Sequence, residues 1–140
     1  MKTVFADSNY FIALLNPHDE LHERAKSVSS SLGDFRLVTT ELVLAEVLNY
    51  YGEYGPALRS AAVLLMERLV QNERVVIEPQ TSTQFSDALA LFAQRLDKTW
   101  SLTDCASFLA MQERNVGEAL TYDKDFEQAG FKALLRDSNA

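Results

Sequence analysis

"SLTDCASFLAMQERNVGEALTYDKDF", residues 101–126, holds in one run the unit from which the fold is read. "TDCASFLAMQER" reads as a helix, and Ser101 and Asp104 stand at capping-box spacing before it, with Asp in place of the usual Glu or Gln. "ALT" (119–121) is short and apolar, as a buried strand is. "KDFEQAG" then suggests a short helix ended by Gly130. Between strand and helix stand Asp123 and Asp125, one on each side of Lys124.

The same alternation runs through the chain. "TVFA" (3–6), "FRLV" (35–38), "VVIEP" (75–79) and "FKALL" (131–135) join "ALT" as expected strands, short and leaning β-branched or aromatic. Helical spacing appears in Leu21, Ala25, Val28 and Leu32, and again in Phe85, Ala88, Leu89, Phe92 and Leu96. Residues 40–51 and 57–71 form two further helices, a hairpin broken at "GEYGP", where Pro56 stands near the second helix start. Strands separated by helices need crossover connections, which favours a mostly parallel sheet covered on both faces, an α/β/α sandwich. In such folds ligands lie beyond the carboxyl ends of the strands.

The bulk numbers bound the function. A chain of 140 residues suits a single domain spanning 1–140. With 47% hydrophobic and 24% charged residues, it has the composition of a soluble globular protein. No apolar run approaches the ~20 residues of a spanning helix, so no membrane partner is expected. "MKTVFADSNYFIALLNP" carries Asp7 where a signal peptide needs an apolar stretch, and is expected to belong to the fold. Cys105 is the single cysteine, which excludes an internal disulfide and a multi-cysteine zinc site and suits a reducing, cytoplasmic setting. The net charge of −7 argues at first against nucleic acid.

Each acidic residue has an ordinary structural explanation. Asp7, directly after "TVFA", can cap the helix that follows. Glu46, beside Leu42, Val43 and Asn49 on its helix, sits next to an apolar stripe with no Lys or Arg nearby in sequence, yet can point to solvent. Asp104 serves its capping box, and Asp123 or Asp125 can cap "KDFEQAG". Together they carry more. A parallel α/β sheet can gather all of these segments at its carboxyl edge, where crowded carboxylates repel unless a cation neutralises them. Oxygen-only ligands suit Mg²⁺ or Mn²⁺, which predicts metal-assisted phosphodiester chemistry.

"FADSNYFIALL", "ELVLAEVLN", "SLTDCASFLAMQERNVGEALTYDKDF" and "AGFKALL" resemble the PIN-domain ribonucleases, specifically the VapC-type toxins of toxin–antitoxin pairs, over essentially the whole chain. The resemblance implies a compact α/β/α sandwich and a four-acid site. The first acid of the family's pattern falls on Asp7, with Ser8 beside it; the helical Glu on Glu46; the acid heading a Ser-x-x-Asp helix start on Asp104; and the last, in Thr-x-Asp-x-x-Phe, on Asp123, after Thr121 and three residues before Phe126. Asp125 lies outside that core pattern and is at best a supporting acid. The implied activity is endonucleolytic cleavage of RNA by water activated on one or two Mg²⁺ (or Mn²⁺) ions, with Asp7 and Asp104 as direct ligands and Glu46 and Asp123 completing the site or orienting water. The implied partners are an RNA substrate, a cognate antitoxin and a second copy of the chain. The charge objection weakens on counting: without the four acids the balance is 16 against 13, a net −3.

Other chemistries fit less well. "HDELH" sets His18 and His22 four apart, as on a zinc-protease helix, but Asp19 replaces the required Glu and no third His exists, so both are read as surface or capping residues. Cys105 sits within an apolar helix with no evident base. A phosphoacceptor domain would want an acceptor Asp after a middle strand, where this chain has Glu78 and Pro79, and a haloacid-dehalogenase-type site would want Asp where Asn9 stands. A catalytically silent PIN-like binding module is the third alternative, against which all four acids are present. The hairpin carrying Tyr50, Tyr51, Tyr54, Leu64, Leu65, Met66, Leu69 and Val70 is rich in large apolar groups, which core packing explains first and a dimer contact or antitoxin groove second.

Overall fold

The five apolar runs become five parallel strands in the computed structural model, which describes residues 1–136. They are β1 (Lys2–Ala6), β2 (Phe35–Thr40), β3 (Val75–Glu78), β4 (Glu118–Leu120) and β5 (Lys132–Ala133). The helices are α1 (Ser8–Leu15), α2 (His22–Ser31), α3 (Glu41–Tyr51), α4 (Pro56–Gln71), α5 (Ser82–Gln94), α6 (Leu102–Glu113) and α7 (Lys124–Gln128).

The sheet order is β3-β2-β1-β4-β5. Strands are added outward on one side from β1 to β3, and the chain then crosses to the other side of β1 for β4 and β5. Right-handed crossovers place helices on one face while the order runs one way and on the opposite face when it reverses. Accordingly α1 packs against α2, α3 and α4, while α5 packs against α6 and α6 against β2 and α7. Between the layers lies the core, with Val4, Phe5, Phe11, Val43, Val47, Tyr51, Phe108, Met111, Leu120, Phe126 and Leu135 among its buried residues.

The α3–α4 hairpin turns at Gly55, whose φ of 90° is a conformation that a side chain resists, and Pro56 then opens α4 at a position where its missing N–H costs nothing. The hairpin's apolar residues divide. Tyr51 and Leu69 are buried and Leu65 and Met66 pack against the core, whereas Tyr50, Tyr54, Leu64 and Val70 face outward.

Two sequence expectations change here. The helical run Phe85, Ala88, Leu89, Phe92 and Leu96 stops short, because α5 ends at Gln94 and Leu96 lies beyond it; the helix turns inward along Gln84, Ala88, Leu91 and Arg95, leaving Phe85, Leu89 and Phe92 exposed. Periodicity identifies a one-sided helix without saying which side meets the core, and here the small Ala88, fully buried, meets it. "HDELH" is not one helical turn either. Asp19 Oδ1 accepts from the Leu21 N–H at 2.8 Å in a local turn, so α2 begins only at His22. His22 is also buried rather than on the surface, its Nδ1 2.7 Å from the Ala13 carbonyl oxygen.

Candidate metal centre at the switch point

The reversal of strand order falls between β1 and β4, which pair as Phe5 with Ala119 and Ala6 with Leu120. That register sets the residues after each strand side by side. The Asp7 N–H donates to the Leu120 carbonyl at 3.1 Å, and the Thr121 hydroxyl donates to Asp7 Oδ2 at 2.8 Å. A strand-order reversal opens a crevice at the carboxyl edge, where ligands bind in open α/β sheets.

Asp7, Asp104 and Asp123 each make the cap expected of them, and the three also lie together. Asp7 caps α1, its Oδ1 accepting from the Ser8 N–H at 2.8 Å. Asp104 completes the α6 capping box, accepting from the Ser101 N–H at 3.1 Å while its own N–H donates to the Ser101 hydroxyl at 3.0 Å. Asp123 caps α7 by accepting from the Asp125 N–H at 2.9 Å. Three helix starts thus converge on one crevice, and ligand oxygens of Asp7, Asp104 and Asp123 lie within 4.8 Å of one another.

A set of buried phenylalanines fixes that convergence from below. Phe126 packs against Phe5 (ring centroids 6.2 Å apart) and edge-on against Phe108 (5.0 Å). Phe5 lies two residues before Asp7, Phe108 one helical turn after Asp104, and Phe126 three residues after Asp123. Each element that supplies an acid is therefore anchored by an aromatic ring, all three essentially inaccessible to solvent.

The electrostatics are those of carboxylates without a counterion. Burial pushes the Asp7 carboxyl up to about 7; the Thr121 and Ser8 hydrogen bonds oppose this, and the charges of Asp104 and Glu46 add to it. Asp104 is raised to about 6, first by burial and further by Asp123 and Asp125, against its bonds to Ser101. Asp125 is raised as well, by burial and then by Asp123. Among the described residues, no Lys or Arg forms an ion pair with Asp7, Asp104 or Asp123. Three oxygen donors at this spacing, two buried and one half-buried, crowded together and with no ion-paired cation among the described residues, fit a hard divalent ion.

Glu46 and Asp125 stand outside that trio. Glu46 is half-buried on α3, close enough for its charge to be felt at Asp7. Asp125 is buried beside Asp123 and Asp104. Ser8 serves through its backbone N–H. Asn9 was not singled out as a site residue from the sequence, yet its side chain joins the two strand ends. Its Nδ2 donates to Thr121 Oγ1 at 3.2 Å and to Asp7 Oδ2 at 3.4 Å, and its Oδ1 accepts from the Tyr122 N–H at 3.1 Å. Only its place two residues after a strand-end acid hinted at this. Cys105, buried within α6, has its thiol pushed up by burial and by Asp104, the reverse of an activated nucleophile. Glu78, at the position a phosphoacceptor domain would use, is bound by Arg114 at 2.6 Å.

Comparison with known proteins follows the same outline. The PIN domain family pattern matches residues 4–132. A curated relative described as a 23S rRNA-specific endonuclease, VapC20 of Mycobacterium tuberculosis, is 28% identical over 131 residues, covering 91% of this chain and 95% of its own. The crystal structure of M. tuberculosis VapC20, described as a sarcin–ricin-loop-cleaving toxin, superposes with a TM-score of 0.80 at 25% identity, covering 91% of this chain and 95% of that one. FitAcB from Neisseria gonorrhoeae has the same fold, with a TM-score of 0.60 at 19% identity over 93% of this chain and 94% of that one.

Proposed function

The chain belongs to the PIN-domain family, and from that premise we propose that it is a Mg²⁺- or Mn²⁺-dependent endoribonuclease, the toxin of a toxin–antitoxin pair acting in the cytoplasm. The observation that carries the proposal is the trio Asp7, Asp104 and Asp123, converging within 4.8 Å with no ion-paired cation among the described residues. The likeness to an RNA endonuclease over nearly the full length of both chains supports the substrate class.

In this mechanism Asp7, Asp104 and Asp123 hold the ion. When bound, it lowers the pKa of a coordinated water and stabilises charge developing on the phosphate. The rest is done by the chain. Thr121, Ser8 and Asn9 fix the Asp7 carboxylate so that its free lone pairs face the crevice, and Ser101 does the same for Asp104. Glu46, whose charge is felt at Asp7, would orient the attacking water and accept its proton, and the Asp125 N–H supports Asp123. Hydrolysis of the phosphodiester by that water would leave two shorter RNA strands.

Purified protein incubated with total bacterial RNA and with a sarcin–ricin-loop hairpin, with Mn²⁺ or Mg²⁺ and then with chelator, tests the proposal. Discrete, chelator-sensitive cuts are expected in at least the total RNA. Equal RNA patterns in all samples would refute it.

A homodimer is part of the same proposal, with the outward residues Tyr50, Tyr54, Leu64 and Val70 of the hairpin contributing to a contact between copies and to a groove for an antitoxin segment. A monomer in sedimentation at micromolar concentration would count against it.

A further inference from the structure

Between Thr121, which holds Asp7, and Asp123, in the metal trio, stands a residue that the site chemistry leaves unused. Thr121 is fully buried, and Asp123 caps α7 from an extended backbone conformation, whereas Tyr122 between them is 47% exposed. Alternation along an extended segment puts the two polar side chains into the crevice and the Tyr122 ring on its rim.

The ring is held there. The Tyr122 N–H donates to Asn9 Oδ1 at 3.1 Å, and its carbonyl accepts from Arg136 Nη1 at 3.0 Å. The Arg136 guanidinium also lies over the ring, 5.2 Å from its centroid, and is itself fixed by Glu127 at 3.2 Å. An exposed aromatic with a pinned backbone and an arginine behind it is a preorganised surface for a flat, electron-rich partner. Trp100 makes the contrast: Arg95 and Lys98 lie over it at 5.0 and 5.9 Å, but it is 7% exposed and belongs to the core.

Resting on the ribonuclease proposal above, we propose that Tyr122 is a stacking platform for an unpaired base adjoining the scissile phosphate. Bases inside an A-form duplex are already stacked and cannot reach such a ring, whereas loops and single strands offer them. The acidic balance of the chain, −7 overall, leaves little sequence-independent attraction for phosphates, so holding the substrate falls more heavily on stacking. The −OH of Tyr122 is not required for this, and the ring is.

The test starts from the cuts that the wild type makes in total bacterial RNA, located by sequencing the new 5′ ends. An oligoribonucleotide spanning one cut is then made intact and with a single abasic residue on either side of it. On the intact strand, Y122A is expected to lower kcat/KM by about tenfold or more, the scale of one base–aromatic stack, and Y122F to stay within about twofold of wild type. One of the two abasic strands should be cut as poorly by the wild type as by Y122A. Equal cutting of the intact strand by wild type and Y122A would overturn the proposal. So would a Y122A loss that is the same on every strand, as a structural role or a contact with a protein partner would give. If Y122A folds poorly, the wild type alone decides: indifference to both abasic residues overturns stacking. A wild type that cuts no RNA refutes the ribonuclease proposal itself, and is distinct from a wild type that cuts without regard to Tyr122.

Discussion

Two carboxylates buried at strand ends meet opposite circumstances in this molecule. Glu78 closes β3 at 9% exposure, and Arg114 Nε donates to it at 2.6 Å. Asp7 follows β1 at 4% exposure, with hydrogen bonds from Ser8 and Thr121 but no ion-paired cation among the described residues, and with two other aspartates beside it. Burying an unpaired charge costs several kcal/mol, so on the proposed function one site is completed by the chain and the other is left for an ion. The difference is the ground on which the proposal treats Glu78 as structural and Asp7 as a ligand.

The sharpest break of that comparison is in activity. Asp7→Asn and Asp104→Asn should each lower RNA cleavage by about a thousandfold, since each removes a charged ligand from an ion that contributes several kcal/mol to the transition state. Glu78→Gln should leave cleavage within about threefold of wild type. Gel assays on the same RNA check all three.

Next comes pH. The folded Asp7 and Asp104 titrate near 7 and 6, above the ordinary 3.8. A raised carboxyl pKa contributes stability that is present below the unfolded value and is lost as pH rises through the folded one. The metal-free protein should therefore lose up to a few kcal/mol between about pH 4.5 and 7.5 in denaturant titrations. Saturating Mn²⁺ should remove that loss, and Asp7→Asn should flatten the profile. A metal-free profile that rises across this window would show that the acids are not crowded.

Arg114→Ala tests the other region. It leaves Glu78 buried and unpaired, and with Arg114 itself partly exposed the cost should be about 2 kcal/mol. Adding Glu78→Gln to Arg114→Ala should recover most of it, measured by the same titrations. The smallest effect belongs to Asp125→Asn, which should cost less than about tenfold in cleavage, well below Asp123→Asn, because its carboxylate stands outside the trio proposed to hold the ion.

Local spacing reads Asp7, Asp104 and Asp123 each as no more than a cap; their common position at strand ends and helix starts suggested a shared edge, and the resemblance to the PIN family, not spacing, set Asp123 apart from Asp125. The parallel sheet was legible, since short strands alternating with helices leave few other topologies. What local spacing does not contain is the β1–β4 register, and that register alone brings Asn9 to Thr121 and Tyr122, 112 and 113 residues away. Nor does it say which side of α5 meets the sheet: the spacing of Phe85, Leu89 and Phe92 marked a helix, and these three lie outside. His22 looked like a surface residue because its burial against Ala13 depends on the turn at Asp19 delaying α2. Glu46 was the hardest acid to place: a helix interior has no cap role to pin the side chain, and the structure leaves it within electrostatic reach of Asp7 but outside the trio.

Calorimetric titration of Mn²⁺ into the purified protein at pH 7.5, in two buffers of different protonation enthalpy, tests the central claim most directly. The account predicts saturable binding to the wild type with release of protons from the raised carboxyls, and its loss in Asp104→Asn. A flat titration of the wild type, or unchanged binding in Asp104→Asn, would contradict it.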